Sequence, residues 1–150
     1  MKIKASRGML LGTTTENKCM KAKRLFPDEV LAILRQAKGL GIRAGKSQHR
    51  FVGIWVVMVE DRVFVRSWSV EPNGWYRTFL KEPRGTIKVA GQEITVRAVR
   101  IRDKRLRDAI DRAYLEKYNT PGALKYARDL GQAKSRATTT ELRPQSRATW

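Results

Sequence analysis

Residues 50–59, RFVGIWVVMV, constrain the fold more than any other stretch. The run is apolar and β-branched on both faces, which predicts a buried strand rather than a half-exposed one. Glu60-Asp61 then makes a tight turn, and residues 62–68 return as a second strand. Together they read as a hairpin, although the turn lacks the favoured Asn-Gly.

A second hairpin follows. Residues 86–89 alternate, Ala90-Gly91-Gln92 turns the chain, and residues 94–101 alternate again. Ile94, Val96 and Ala98 share one face and Thr95 and Arg97 the other, with a phase change at Val99 and Ile101 that predicts a bulge. Residues 40–47, LGIRAGKS, read as a glycine-rich connection, and residues 137–143, ATTTELR, as a final strand.

Helices flank these strands. Pro27 suits a first helical position, Asp28 and Glu29 favour the positive end of the dipole, and Val30, Leu31, Ile33, Leu34 and Ala37 make one apolar face. Lys38 and Gly39 end this helix, so it spans about 27–38. Asp103 is a good N-cap for a second helix over about 104–118, with Leu106, Ala109, Ile110, Ala113 and Tyr114 on one face. Asn119-Thr120-Pro121-Gly122 stops it, and a short helix is expected over about 123–130.

Sequential hairpins favour antiparallel pairing, and closing the sheet removes exposed edges. The expected class is α+β: a six-stranded antiparallel barrel with an N-terminal helix and one or two C-terminal helices. The expected organisation is a basic, flexible arm at 1–24, one domain over 25–145, and a tail at 146–150. A chain of 150 residues is long enough to bury its own core.

Charge is the compositional feature that bears on function. The chain has 32 basic and 14 acidic residues, a net charge of +18. The excess lies mainly in residues 1–24, with seven basic and one acidic side chain, and in residues 84–107, with eight and two. A basic tail keeps a protein soluble and attracts nucleic acid without specificity, so nonspecific nucleic-acid binding through the tails is one expectation. Helix-turn-helix, zinc-finger and RNA-recognition signatures are absent. One cysteine, Cys19, and one histidine, His49, exclude an intrachain disulfide and a multi-histidine or cysteine metal centre. No apolar run approaches the roughly 18 residues that span a bilayer, and the N-terminal apolar patch is too short for a signal peptide, so a cytoplasmic protein without a membrane partner is expected.

The chemistry concentrates in residues 63–83, VFVRSWSVEPNGWYRTFLKEP. Arg66, Ser67 and Trp68 leave a strand end, where an arginine and a hydroxyl can grip a phosphate. Trp75 and Tyr76 can stack a ring or close a pocket. The structural alternative makes Trp75 a core anchor and pairs Arg66 with Glu71 or Glu82. Gly45-Lys46-Ser47 lacks the glycine spacing of a P-loop, leaving an anion nest or a plain loop. His49 beside Arg50 reads as a surface histidine. Asp108 with Arg112 reads as an ordinary i,i+4 surface pair. No paired carboxylates or nucleophilic triad stand out, so no catalytic residue is assigned.

The order Ile54-Trp55, Val65-Arg66-Ser67, Gly74-Trp75-Tyr76-Arg77, Ile110-Asp111-Arg112-Ala113-Tyr114, Lys117-Tyr118, Arg136-Ala137-Thr138-Thr139 and Leu142-Arg143-Pro144 resembles the bacterial domain of unknown function 2255 family over about residues 25–145. A second likeness is narrower. Trp75-Tyr76, six residues and then Pro83, with Ser67 at a strand end and Gly45-Lys46-Ser47 before a strand, is similar to deazaflavin-dependent nitroreductases. Those proteins belong to the split β-barrel superfamily, with the flavin-binding pyridoxamine phosphate oxidases. This resemblance implies a split β-barrel with FMN or deazaflavin F420 at the barrel mouth. It makes Lys46, Ser47, Arg50, Arg66 and Ser67 phosphate or cofactor contacts and sets Trp75 and Tyr76 beside the ring, with Trp68 and Arg77 adjoining. The expected role is a flavin or deazaflavin oxidoreductase, the alternative a non-catalytic binding module for a phosphorylated ligand. A homodimer is expected to complete such a site.

Overall fold

The computed structural model describes residues 26–45, 50–72 and 74–145. The expected basic arm at 1–24, the tail at 146–150, and Lys46, Ser47 and His49 lie outside the described residues. In chain order the elements are α1 (Asp28–Gln36), β1 (Leu40–Ala44), β2 (Val52–Ile54), β3 (Val56–Val59), β4 (Arg62–Val65), α2 (Trp75–Lys81), β5 (Arg84–Val89), β6 (Gln92–Arg100), α3 (Lys104–Lys117), α4 (Pro121–Asp129), α5 (Ala133–Arg136) and β7 (Thr140–Pro144).

The strands form one antiparallel sheet in the order β2-β1-β5-β6-β7-β4-β3. Its two outermost members, β2 and β3, are successive halves of one run of chain separated by Trp55. The sheet therefore curls back on itself into a nearly closed barrel, which leaves little edge exposed. The count is seven strands rather than the expected six. Two departures take the five strands located in the sequence to seven: the run 50–59 breaks at Trp55, and the glycine-rich 40–44 is a strand whose Leu40, Ile42 and Ala44 alternate inward.

The break at Trp55 is held by side chains of the α3 end. The Tyr118 hydroxyl accepts from the Val56 N–H at 3.1 Å, and its own hydrogen reaches Lys38 O at 2.9 Å. Lys117 Nζ donates to Val56 O at 2.8 Å. Both backbone groups of Val56 thus have partners at the corner. The Trp55 ring lies parallel to Tyr118, 4.0 Å between centroids and 2° between planes.

The β3–β4 hairpin shows why its sequence is apolar on both faces. Val56, Val63 and Val65 point into the barrel with Ile42, Ile87, Val96 and Leu142. Val57 and Phe64 point out, under Ile110 and Tyr114 of α3 and Leu130 beyond α4. Leu31 and Leu34 of α1 and Phe79 of α2 complete the inner core. The expected bulge near Val99 does not form: β6 pairs with β7 in unbroken register from Val96 to Arg100. The outer face of β6 passes from solvent at Arg97 to cover beyond its end, where Ile101 joins the α3 cluster, so one face reads polar and then apolar without a shift of phase. Asp103 caps α3 by accepting from Leu106 N at 2.8 Å, as its position predicts.

Helix α2 lies against β1 and β5 because Gly85 leaves room for it. A Cβ there would sit 2.6 Å from Arg43 O and 2.7 Å from Phe79 Cε1. This close approach sets the first turn of α2 beside the end of β1. Among the described residues, no helix is long and apolar enough to cross a membrane.

Candidate functional site

β1 pairs with β2 only as far as Ile42↔Val52, then runs on through Arg43 and Ala44 beside α2. At this open corner a cleft of about 250 Å³ is lined by Ile42, Arg43, Ala44, Arg50, Val52, Trp75 and Thr78. Its floor is aliphatic. Trp75 forms an aromatic wall, held edge-on against Phe79 at 6.0 Å and Tyr76 at 6.2 Å. Thr78 Oγ1 donates back to Gly74 O and so is oriented along the helix. The Arg43 guanidinium lies 4.4 Å above the Phe51 ring and 3.9 Å from Glu93. Arg50 is exposed and makes no ion pair among the described residues. Gly45, with φ 74°, closes the strand end by donating to Arg84 O at 2.7 Å. Lys46 and Ser47 follow it in the chain but lie outside the described residues.

The residues singled out in the sequence therefore fall into separate places. Arg50 and Trp75 share the cleft. Arg66, Ser67 and Tyr76 converge on the segment that leads from α4 to β7. The Arg66 Nε donates to Thr139 Oγ1, Nη1 to Asp111 Oδ1 and Leu130 O, and Nη2 to Arg107 O. Its partner is Asp111, not Glu71 or Glu82, because the side chain turns under α3 instead of along its own loop. The Ser67 N–H donates to Thr138 Oγ1 at 2.8 Å, and the Tyr76 hydroxyl to Ala137 O at 3.2 Å. Trp68 packs edge-on against Trp55 at 5.4 Å. Arg77 stands exposed and donates to Val70 O.

The charges around Arg66 form one network, in which Arg66 is buried and Asp108, Asp111 and Arg136 are half-buried. Arg136 Nη1 donates to both Asp108 and Asp111. Asp108 also accepts from Lys104, so its partners are Lys104 and Arg136 instead of the expected Arg112. Burial lowers the Arg66 pKa, and the Asp111 bond opposes it. Glu141 sits below the ordinary carboxylate range although burial pushes it up, because bonds from Arg62 and Arg143 outweigh that push. Burial first and the nearby Lys38 second push the Lys117 pKa down to about 8.

Sequence reasoning missed Arg43, Thr78 and Val52 in the cleft lining. Taking Leu40–Ala44 as an alternating strand would have exposed Arg43 as its outward residue. Thr78 carried a weaker signal, one helical turn after Trp75. Among the described residues, no cluster of His, Cys, Asp and Glu could hold a metal ion.

Fold and cleft together define a small antiparallel barrel with helices on its outer face and, among several surface clefts, one at an open strand corner that combines an aromatic wall with guanidinium groups. The chain belongs to the bacterial family described as "Uncharacterized protein conserved in bacteria (DUF2255)", whose model matches residues 31–142. No curated protein sequence matches it. Several solved structures share the fold. A conserved hypothetical protein from Mycobacterium tuberculosis superposes with a TM-score of 0.55 at 9% identity, covering 84% of each chain. HutZ, the heme storage protein from Vibrio cholerae, gives 0.56 at 16% identity over 81% of this chain and 92% of its own. An FAD-binding protein from Mesorhizobium loti gives 0.51 at 16% identity over 81% and 91%.

Proposed function

We propose that the chain binds a planar, phosphate-bearing cofactor of the flavin class, FMN or a deazaflavin, at the open corner of a split barrel. The observation that carries this reading is the convergence of Trp75, Thr78, Arg43 and Arg50 on one aliphatic-floored cleft. An aromatic wall and an apolar floor suit a ring, and guanidinium groups suit a phosphate. At about 250 Å³ the cleft is sized for part of such a ligand, with the remainder toward the chain that carries Lys46 and Ser47. The names of two structural neighbours, one FAD-binding and one heme-storing, support a cofactor on this fold. Haem fits the described lining less well: it contains no imidazole, thiolate or thioether to ligate iron.

In this reading Arg50, with Lys46 and Ser47, holds the phosphate, and Trp75 packs on the ring. Arg66, Ser67 and Tyr76 act one step back, fixing the loop into α2. The described lining offers no carboxylate, imidazole or thiol, so redox chemistry would be supplied by the cofactor and the protein would orient it. Without a substrate the same cleft is a binding module for a phosphorylated ligand. A second copy of the chain would close the cleft's open side.

A visible absorption spectrum of the purified protein and thermal-shift titrations with FMN, FAD and a deazaflavin test the reading. Binding that weakens at least tenfold in Arg50→Gln and in Trp75→Ala supports it. Failure of all three cofactors to bind, or binding indifferent to both substitutions, would overturn it. Light scattering with and without cofactor tests the dimer. Turnover of a reduced cofactor with nitro or carbonyl substrates separates an oxidoreductase from a binding module.

A further inference from the structure

The outer face of the sheet is left uncovered where β5 and β6 run side by side and meet the end of β7 beyond the buried Glu141, and it carries a register that a sheet does not need for stability. Arg84 stands directly opposite Arg97, and Arg97 directly opposite Arg143. Like charges in directly opposed positions destabilise a sheet. Arg143 is partly neutralised, since its Nε and Nη2 donate to Glu141 at 3.1 and 3.0 Å, but Glu141 is shared with Arg62. Arg84 and Arg97 are exposed and make no ion pair among the described residues. The next rung pairs two hydroxyls, Thr86 with Thr95, and places Arg43 beside Thr86. The rung after that holds Lys88 opposite Glu93, and Lys88 Nζ and Arg43 Cζ lie 5.8 and 4.4 Å from the Phe51 ring.

We propose that this face binds the phosphate backbone of a nucleic acid through the ladder Arg84–Arg97–Arg143, with Arg43, Lys88 and the two threonines as flanking contacts. Neighbouring strands lie about 4.8 Å apart, so the ladder's roots span about 10 Å. A duplex strand rises about 3.4 Å per phosphate along its axis and also winds around it, so neighbouring phosphates stand farther apart than that rise and about two of them meet the ladder. Guanidinium groups pair bidentately with phosphate oxygens, and hydroxyls add neutral contacts of the kind that position a backbone. A lipid surface fits less well. Membrane-binding faces add buried apolar side chains to their cations. Among the described residues, the exposed large apolar ones, Val52, Trp68, Val70, Leu80, Leu115 and Tyr126, all lie off these three strands. Two of the ladder's three arginines, Arg84 and Arg97, sit within the basic stretch 84–107 and the third, Arg143, on β7, so this charge belongs to the folded sheet and acts independently of the terminal arms.

The test is fluorescence anisotropy of the full chain with labelled single- and double-stranded oligonucleotides of about 20 residues, between about 50 and 200 mM salt. The expected result is binding that is indifferent to sequence and falls steeply with salt. Arg84→Gln with Arg97→Gln should weaken duplex binding at least tenfold and lower the slope of log K against log salt by about 1.8, while Arg97→Gln alone lowers it by about 0.9. Arg105→Gln with Arg112→Gln, on the exposed side of α3, is the charge-matched control and should cost far less. Thermal melts of the ladder variants should match or exceed the parent, since like charges are relieved; the single variant serves if the double one misfolds. The proposal is overturned by no binding at about 50 mM salt, by equal losses in ladder and control variants, or by affinity that follows neutralisation of residues 1–24 alone. Anionic phospholipid vesicles that bind through the ladder while oligonucleotides do not would also overturn it.

Discussion

The Arg66 guanidinium and the Asp111 carboxylate meet at 2.5 Å across the seam between the barrel and its outer helices. Arg66 is fully buried, whereas Asp111 keeps some solvent contact. The arginine spends its remaining donors on Thr139, Leu130 O and Arg107 O, so one side chain ties β4 to α3, to the end of α4 and to the approach of β7. Removing the carboxylate leaves a buried cation without its counter-charge, a change that costs about 3 kcal/mol or more. Asp111→Asn is therefore expected to lose about that much in urea unfolding. Arg66→Met added to Asp111→Asn should cost much less than Arg66→Met in the parent, a coupling that a double-mutant cycle measures directly.

Lys117 gives the fold an alkaline signature. Its folded pKa of about 8 lies below the ordinary lysine value of 10.5, so between these values the unfolded chain holds more protons than the fold. Stability is expected to rise as pH increases from about 8 toward 10. Tyr118 acts with the opposite sign above that: burial raises its pKa, so the unfolded chain loses the proton first and stability falls again. Lys117→Met should flatten the rise and leave the fall. Melting temperatures from pH 7 to 11, roughly the span of these titrations, would show the difference.

The three long helices were legible because each shows one period throughout, the second hairpin because it alternates on both sides of Ala90-Gly91, and the first because its apolar β-branched run ends in a turn. Glu60-Asp61 and Ala90-Gly91 turn the chain where alternation stops, although Glu60, Asp61 and Ala90 hold positive φ without being glycine. What the sequence hid was pairing across long separations. Nothing near Arg66 in the chain points to Asp111, which is 45 residues away, or to Thr139, 73 away. Trp55 gave no local sign of a strand break, because the partner that sustains it, Tyr118, is set by the packing of α3. Of the residues expected in the site, Arg50 and Trp75 converge because Gly85 lets α2 approach β1, a contact between segments that local pattern does not encode.

Tyr118→Phe isolates the corner at Trp55. The hydroxyl accepts the Val56 N–H, and its loss leaves that buried donor without a partner, at a cost of about 1–3 kcal/mol. The ring stack on Trp55 survives in this variant, so tryptophan emission should keep its wavelength while the unfolding midpoint drops. Tyr118→Ala removes the stack as well and should shift the emission to the red. If Tyr118→Phe were as stable as the parent, the corner would not depend on this bond.

Gly85→Ala couples the barrel to the cleft. The added methyl would stand 2.6 Å from Arg43 O and 2.7 Å from Phe79 Cε1, closer than real contacts allow, so α2 must move off the sheet at β5. Overpacking of this kind costs about 1–3 kcal/mol. Because Trp75 and Thr78 ride on α2 while Ile42, Arg43 and Ala44 belong to β1, the same displacement opens the two walls of the cleft against each other. On the proposed function, flavin affinity should fall along with stability in Gly85→Ala. Leu80→Ala provides the comparison, since Leu80 is an exposed residue of the same helix and its loss should leave both quantities near the parent values. Isothermal titration paired with urea unfolding on both variants reads the two effects together. A stable Gly85→Ala protein with undiminished binding would mean that the approach of α2 to β1 does not shape the site.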